Sequence, residues 1–476
     1  MNRMLIAGAA ACVLLAGAAV GSAAFVGQQA RGRIETSVAD LQARLPMLRV
    51  VEQRYDAGVF AATHDITFQL GCAATDGAAA DAAKPLQFAL RQRIQHGPLP
   101  GFAGVGAVVI DSELVLPEGV RQAVAELTDK QPPATAHTVV GLGGDYRTQV
   151  TVPKFQFDGP NGEQFVWHGL QADLRSKGAT VEYDMALPGA SVSASDDKVS
   201  LQMTLGAMKA RGEMRSEGAL WWMVGKGEGE LAAMDVSVEG RAGQPVPPVK
   251  FALSQLKFSA DTSLEQDLLA STSRITGQGM VSGVKLDKFD MQVSLKRLHA
   301  PTYERLLQHV LAGASHCDAV KAAAADPQQV LALMQQGLGA LLPFNPEYAL
   351  DRLAVEIEGE RGELSYSLGV QGVSEADLQL PLPALLMGKA TFKGQASLPV
   401  AWVEKTLAGF GGAQADPAVQ AQTTRAMLDK MTVDGFVVRE GGQLSTQFSF
   451  DKGQMVVNGK PIGPAGAMAH PPAPRQ

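Results

Sequence analysis

An α+β fold dominated by antiparallel sheet is what three features of this sequence predict, with extended curved sheets, a few packing helices and an N-terminal transmembrane helix. The first feature is alternation. In "KVSLQMTLG" Val199, Leu201, Met203 and Leu205 are separated by Ser, Gln and Thr, and Phe289, Met291, Val293 and Leu295 repeat the pattern. Successive strand side chains point to opposite sides, so each run makes a strand with one apolar and one polar face. The second feature is return across a turn. In "LAVEIEGERGELSYSLGV" Leu353, Val355 and Ile357 run out, residues Gly359 to Gly362 turn, and Leu364, Tyr366, Leu368 and Val370 come back. "QLSTQFSFDKGQMVVNG" reads as a second hairpin around Asp451–Gly453. The third feature is that helical periodicity is confined to a few segments between strand runs, which favours α+β over alternating βαβ units.

In chain order, residues 1–29 form a membrane anchor or signal segment. Met4 to Val26 is almost wholly apolar, and at about 1.5 Å per residue it is long enough to cross a hydrocarbon core. Two readings compete here: an uncleaved anchor, and a cleaved signal peptide with Ser22–Ala24 as its small-residue site. Length favours the anchor, and both readings place the body outside the cytoplasm. Residues 30–46 follow as a helical stalk with Ile34, Val38, Leu41 and Leu45 at helical spacing, which leaves room for a homodimer. Two β-rich halves come next, 47–245 and 250–462, with "QPVPPVK" at 244–250 between them.

Helices are expected at 301–313, at 402–409, at 417–430, and after Asp326-Pro327, read as N-cap and N1. In that last helix Val330, Leu331, Met334, Leu338 and Leu341 share a face. Residues 463–476 lack core-forming side chains and read as a disordered tail.

The balance of charge excludes some functions. The 41 basic and 48 acidic residues give −7, which argues against a nucleic-acid binder. Aromatics are only 6% of the chain, so no ladder for stacking bases is present. Of the three cysteines, Cys12 lies inside the apolar segment. Cys72 and Cys317 are either a disulfide, if the body is in an oxidising compartment, or two buried thiols.

Catalytic motifs are missing from the sequence: it contains no HExxH, CxxC, GxSxG or Walker loop. His299, His309 and His316 are spaced too widely along the chain to share one metal ion. No cofactor is expected. The glycine-rich "GKGEGE" and "GFAGVG" lack the setting of a phosphate loop and read as turns. Glu356, Glu358, Glu360 and Glu363 read as a solvated face. Of Trp221 and Trp222, one is expected in the core and the other at a lipid or protein contact. In "IQHGPLPGF" His96 has no nucleophile or orienting acid nearby, so it reads as part of a loop fixed by Gly97-Pro98 and Pro100-Gly101.

Several segments together resemble the YdgA-like bacterial family, catalogued as domain of unknown function 945. They are "RYDAGVFAATHDITFQL" with Tyr55, Gly58 and Phe60; "FALRQRIQHGPLPGF" with Ile94, His96, Gly97 and Pro98; and "MVVNGKPI" with Asn458, Gly459 and Lys460. Their order, together with the apolar N terminus, spans nearly the whole chain. The departures are an Ala-rich stretch at 71–84 and Val59 where the family often has an aromatic. The resemblance implies an inner-membrane envelope protein with its body in the periplasm, and it supplies no catalytic residues.

The expected function is therefore that of a non-enzymatic, membrane-anchored envelope protein. It would offer an apolar sheet face to lipid or to another envelope component. Two other readings stand beside it: a dimeric scaffold or assembly protein of the inner membrane, and a hydrolase with an unrecognised site near His96.

Overall fold

The computed structural model describes residues 36–70, 86–96, 108–117, 128–159, 162–196, 198–216, 223–240, 249–314, 337–410 and 417–462, apart from positions 37, 44, 129 and 338. The chain forms two compact units. One is Met1–Thr262 with Pro301–Gln336, and the other is Ser263–Ala300 with Gly337–Gln476.

The first unit is a meander. Strands β1 (Leu48–Ala57), β2 (Ala61–Leu70), β3 (Leu86–His96), β4 (Val108–Val115), β5 (Thr135–Val140) and β6 (Tyr146–Val152) each pair antiparallel with the next. The chain then runs through β7 (Phe155–Asp158), β8 (Gln164–Trp167), β9 (Leu170–Lys177), β10 (Thr180–Leu187), β11 (Ala190–Ser195), β12 (Val199–Leu205) and β13 (Met208–Ser216). These are the two ends of longer strands. Val152 pairs with Leu170 and Phe155 with Trp167 in one unbroken register. Leu187–Met208 and Ala190–Leu205 likewise share a register. The interruptions fall at Pro153, Gly169, Pro188-Gly189 and Gly206, where proline lacks a donor or where the backbone takes φ +101° at Gly169. β14 (Met223–Gly240) runs past both ends, pairing with β12 and β13 on one side and with β15 (Val249–Glu265) on the other.

Alternation decides which face of this sheet is dry. In β6 the pattern is strict: Tyr146, Thr148, Val150 and Val152 are buried while Arg147, Gln149 and Thr151 are exposed. The buried face of β1 to β4 (Leu48, Ile66, Phe68, Phe88, Leu114) packs with Val152, Leu170 and Leu187 from later strands. Val38, Leu41 and Leu45 pack into the same core. The apolar side of the expected stalk is thus used inside its own unit.

The second unit is also a meander. β16 (Leu268–Val281), β17 (Val284–His299), β18 (Glu347–Ile357), β19 (Glu360–Val370), β20 (Ala390–Pro399), β22 (Gln443–Asp451), β23 (Gln454–Val457) and β24 (Lys460–Ile462) pair in that order. β21 (Val438–Glu440) pairs with β22 beyond β23. Helices Leu382–Lys389, Val400–Phe410 and Pro417–Val433 interrupt it, and Ala300–Ala314 leads away from β17 into residues of the first unit. The expected helices at 301–313, 402–409 and 417–430 fall on these. Of the 326–341 helix positions 337 and 339–341 are described: 337 and 339 are helical, and 340–341 form a turn.

Two expectations need correction. The hairpin turn is Glu358-Gly359, at φ +54° and +77°, and Glu360 to Gly362 already lie in β19. Two successive positive φ values match the right-handed twist of the flanking strands, so a two-residue turn suffices. "GKGEGE" is not a turn but the interior of β14. Two of its glycines, Gly227 and Gly229, sit where aromatic rings from other strands lie across them. A Cβ on Gly227 would meet the Tyr183 hydroxyl, and one on Gly229 the Phe258 ring.

Among the described residues no helix is long and apolar enough to cross a membrane. The apolar segment 4–26 lies outside them, as do Cys72, Cys317, Trp221, Trp222, "GFAGVG", residues 244–248 of the expected linker and the tail, while linker residues 249 and 250 begin β15.

Candidate functional site

The residues that carry the resemblance have structural positions. Gly58 opens the β1–β2 turn, its N–H bonded to the Ala61 carbonyl at 2.8 Å, and a Cβ there would strike that same oxygen. Phe60 is 71% exposed beside the exposed Val59. Ile94 is fully buried, and the His96 N–H donates to the Phe60 carbonyl at 3.0 Å. Gly97 and Pro98 lie outside the described residues.

At the other end of the chain, Asn458 and Gly459 form the β23–β24 turn at φ +47° and +77°. Asn458 Oδ1 accepts from the Gln447 N–H at 2.8 Å, and its Nδ2 donates to the Gly435 carbonyl at 3.0 Å. Lys460 Nζ reaches the Asp434 carbonyl at 3.3 Å. The Asn-Gly-Lys run therefore ties the end of helix Pro417–Val433 to the last hairpin.

Tyr55 lies over His64, with ring centroids 6.0 Å apart. His64 is 1% exposed and sits in a polar row crossing the buried face of the first unit. Gln53 Nε2 is 3.0 Å from His64 Nε2, His64 Nδ1 is 2.8 Å from Gln92 Oε1, and Gln92 Nε2 donates to Ser112 Oγ at 3.1 Å. One assignment satisfies these three contacts: a neutral imidazole with the proton on Nδ1. In the neighbouring row, which holds Ile94 and Ile110, Thr138 and Thr148 pair with hydroxyls 2.9 Å apart. His299 stacks on Phe344 with ring centroids 3.7 Å apart. Among the described residues no group of three His, Cys, Asp or Glu could hold a metal ion.

The feature with the geometry of a binding site is the sheet of the second unit, whose two faces differ in chemistry. Register puts Leu295, Tyr348, Leu368, Phe392, Phe450, Met455 and Ile462 in one row across β17, β18, β19, β20, β22, β23 and β24. Beside it runs Val293, Leu350, Tyr366, Gly394, Phe448 and Val457. Ring contacts link Tyr348 to Tyr366, Tyr366 to Phe392, and Phe392 to Phe448 at 6.3, 6.1 and 4.9 Å.

Both ends of this apolar face are covered. Val370 packs with Val373 and Leu385, and Leu444 with Val400 and Leu428. The middle stays open: Tyr348, Leu368 and Met455 are 42%, 50% and 47% exposed. The loop beside it is fixed by Asp377, which accepts from the Ser374 N–H at 2.8 Å and its hydroxyl at 2.7 Å and pairs with Lys389 at 3.1 Å. Those donors, the Ser374 N–H foremost, pull the Asp377 carboxyl down to about 2.

The opposite face is polar and concave. A trough of about 640 Å³ is lined there by Ser365, Ser367, Lys393, Gln395, Gln447 and Ser449, among others. Its margin is held by paired groups: Lys296 with Glu347 at 3.1 Å, and Ser294 donating to Asp351 at 3.1 Å. Further along, Arg274 clasps the 5%-exposed Asp290 through two bonds of 2.8 Å and holds that carboxyl below its ordinary value against the pull of burial.

A family model described as a bacterial protein of unknown function (DUF945) matches residues 1–465. The chain belongs to the DUF945 family. Comparison with curated proteins and with solved structures returns no match. Of the residues on the two faces of this DUF945 chain, sequence reading had placed Tyr366 and Leu368 together within one strand. It had missed the row, because the polar partners of an alternating strand look alike until register brings them side by side.

Proposed function

We propose that this DUF945 protein is a membrane-anchored, non-enzymatic protein of the periplasm that holds lipid acyl chains on the apolar face of its second unit. The observation that carries the reading is the continuous apolar row from Leu295 to Ile462, open at Tyr348, Leu368 and Met455 between two helix-covered ends. Contiguous exposed apolar surface costs free energy in water and marks interaction sites. An aromatic-lined strip with few polar groups suits an acyl chain, whereas a protein partner would ask for polar complementarity around its anchors. The apolar segment 4–26 supports placement at the inner membrane.

A photoreactive residue at Leu368 in the full-length protein, in cells, tests this. Lipid adducts at Leu368 and none at the exposed control Glu440 are expected. A protein adduct instead would point to an envelope component, and no adduct above control would remove the reading. A reporter fused after Ile462 tests the compartment: activity of a cytoplasm-only reporter would defeat it. The dimeric scaffold joined through residues 30–46 has less support, because Val38, Leu41 and Leu45 pack in the first unit's core. A hydrolase site at His96 has little, since that residue closes the β2–β3 pairing against Phe60.

A further inference from the structure

We infer that the concave polar face of the second unit is a binding site for an acidic glycan. Register places Ser367, Lys393 and Ser449 in one row across β19, β20 and β22, with Ser365, Gln395 and Gln447 in the next. All six line the 640 Å³ trough. Among the described residues none of these six side chains has a hydrogen-bond or ionic partner, while at the margin Lys296 pairs with Glu347 and Asp351 accepts from the Ser294 hydroxyl. Polar chemistry is thus spent at the edge and left available on the floor.

The composition of the floor selects the ligand. Drug-like apolar ligands use pockets lined mainly by hydrophobic side chains, whereas the six row residues give this trough hydroxyl, amide and ammonium groups beside the apolar Ala349 and Val456. Protein partners are anchored by Trp, Tyr and Arg, whereas interfaces are depleted in Ser and Lys. Nucleic acid needs many cations, and the floor has one unpaired ammonium, Lys393. Serine hydroxyls and glutamine amides both donate and accept, which matches the mixed donor–acceptor rim of a pyranose ring. Neighbouring strands are about 4.8 Å apart, close to the length of one sugar ring along a β-linked chain. Lys393, flanked by two hydroxyls, then meets a carboxylate on the sugar.

The test is calorimetric titration of the full-length protein in nanodiscs. The probes are a hyaluronan hexasaccharide, its carboxyl-reduced form, and neutral chitohexaose. The acidic sugar is expected to bind at least roughly tenfold more tightly than the reduced one. Lys393→Gln is expected to erase that difference, and Gln395→Ala with Gln447→Ala to weaken both. These positions are exposed, so unchanged thermal melting checks that the variants fold. Leu368→Ser, on the opposite face, is expected to leave sugar binding intact, which keeps this site separate from the acyl-chain reading. Absence of heat with all three sugars would overturn the inference, as would binding indifferent to the floor variants. So would capture of inorganic phosphate or phosphatidylglycerol vesicles through Lys393 with no sugar bound.

Discussion

Along Gln53, His64, Gln92 and Ser112 the hydrogens all point one way, and Gln92 is the hinge of that chain because it both accepts and donates. Gln92→Leu strands the His64 Nδ1–H and the Ser112 hydroxyl in a dry core, and leaving buried polar groups unpaired costs about 1–3 kcal/mol. Urea unfolding followed by fluorescence should show a lower midpoint for Gln92→Leu. The solvent-facing Gln87→Leu, which loses only a long 3.4 Å bond to Gln69, should move it far less. His64 was inside the segment that suggested the family, yet its type alone did not distinguish it from a strand-end histidine such as His96. Asn458 is the opposite case. Its Asn-Gly context announced a turn, and the structure adds two side-chain bonds to that turn. Asn458→Ala should cost about 1–2 kcal/mol, from a positive φ that alanine resists and from the lost bonds, read as a fall in melting temperature.

At the level of elements, glycine and aromatic residues meet across strands. Tyr183 is directly opposite Gly212, which is opposite Gly227, and the Tyr183 ring occupies the space both glycines leave. Desolvation there raises the Tyr183 phenol above its ordinary value. Gly229 faces Phe258, Gly394 faces Phe448, and Trp402 from helix Val400–Phe410 covers Gly362. Glycine weakens a strand by its backbone entropy, and an aromatic ring laid over it restores the lost burial. Gly394→Ala should therefore push Phe448 off the sheet and destabilise by about 1–2 kcal/mol, although alanine has the higher strand propensity. Thermal unfolding against Gly372→Ala, a loop glycine at φ +65° with open space around it, separates this clash from backbone strain. This is why "GKGEGE" misled: a glycine run reads as a turn in one dimension, and only register shows what lies across it.

In both units many strands pair antiparallel with the next strand in sequence. Acid stability rests on carboxylates held by arginine and lysine. Asp173 accepts from Arg147 at 2.7 and 2.8 Å and from Gln149 at 3.2 Å, and the Arg147 bonds chiefly bring its carboxyl down to about 2. A folded-state value below the unfolded one stabilises above the unfolded value, about 3.9, and that stabilisation is lost as pH falls through about 2. Asp290 is shifted in the same direction by Arg274. The urea midpoint should thus owe nothing to these groups' titration between pH 8 and 5 and fall below about pH 4. Asp173→Asn should flatten part of that fall while lowering stability at neutral pH.

What the sequence alone determined was the period-two patterning, helices at 301–313, 402–409 and 417–430, which the structure extends to Ala300–Ala314, Val400–Phe410 and Pro417–Val433, and membership of the family through its ordered motifs. These are local properties: alternation, periodicity and turn chemistry act over a few residues. Only the tertiary structure decided which strands lie side by side. That pairing made Tyr348, Leu368 and Phe392 one apolar strip and Ser367, Lys393 and Ser449 one polar floor. It also turned the apolar side of residues 38–45 inward to the core. Register joins residues tens of positions apart through backbone hydrogen bonds that are the same for every side chain, so composition along the chain carries no record of it.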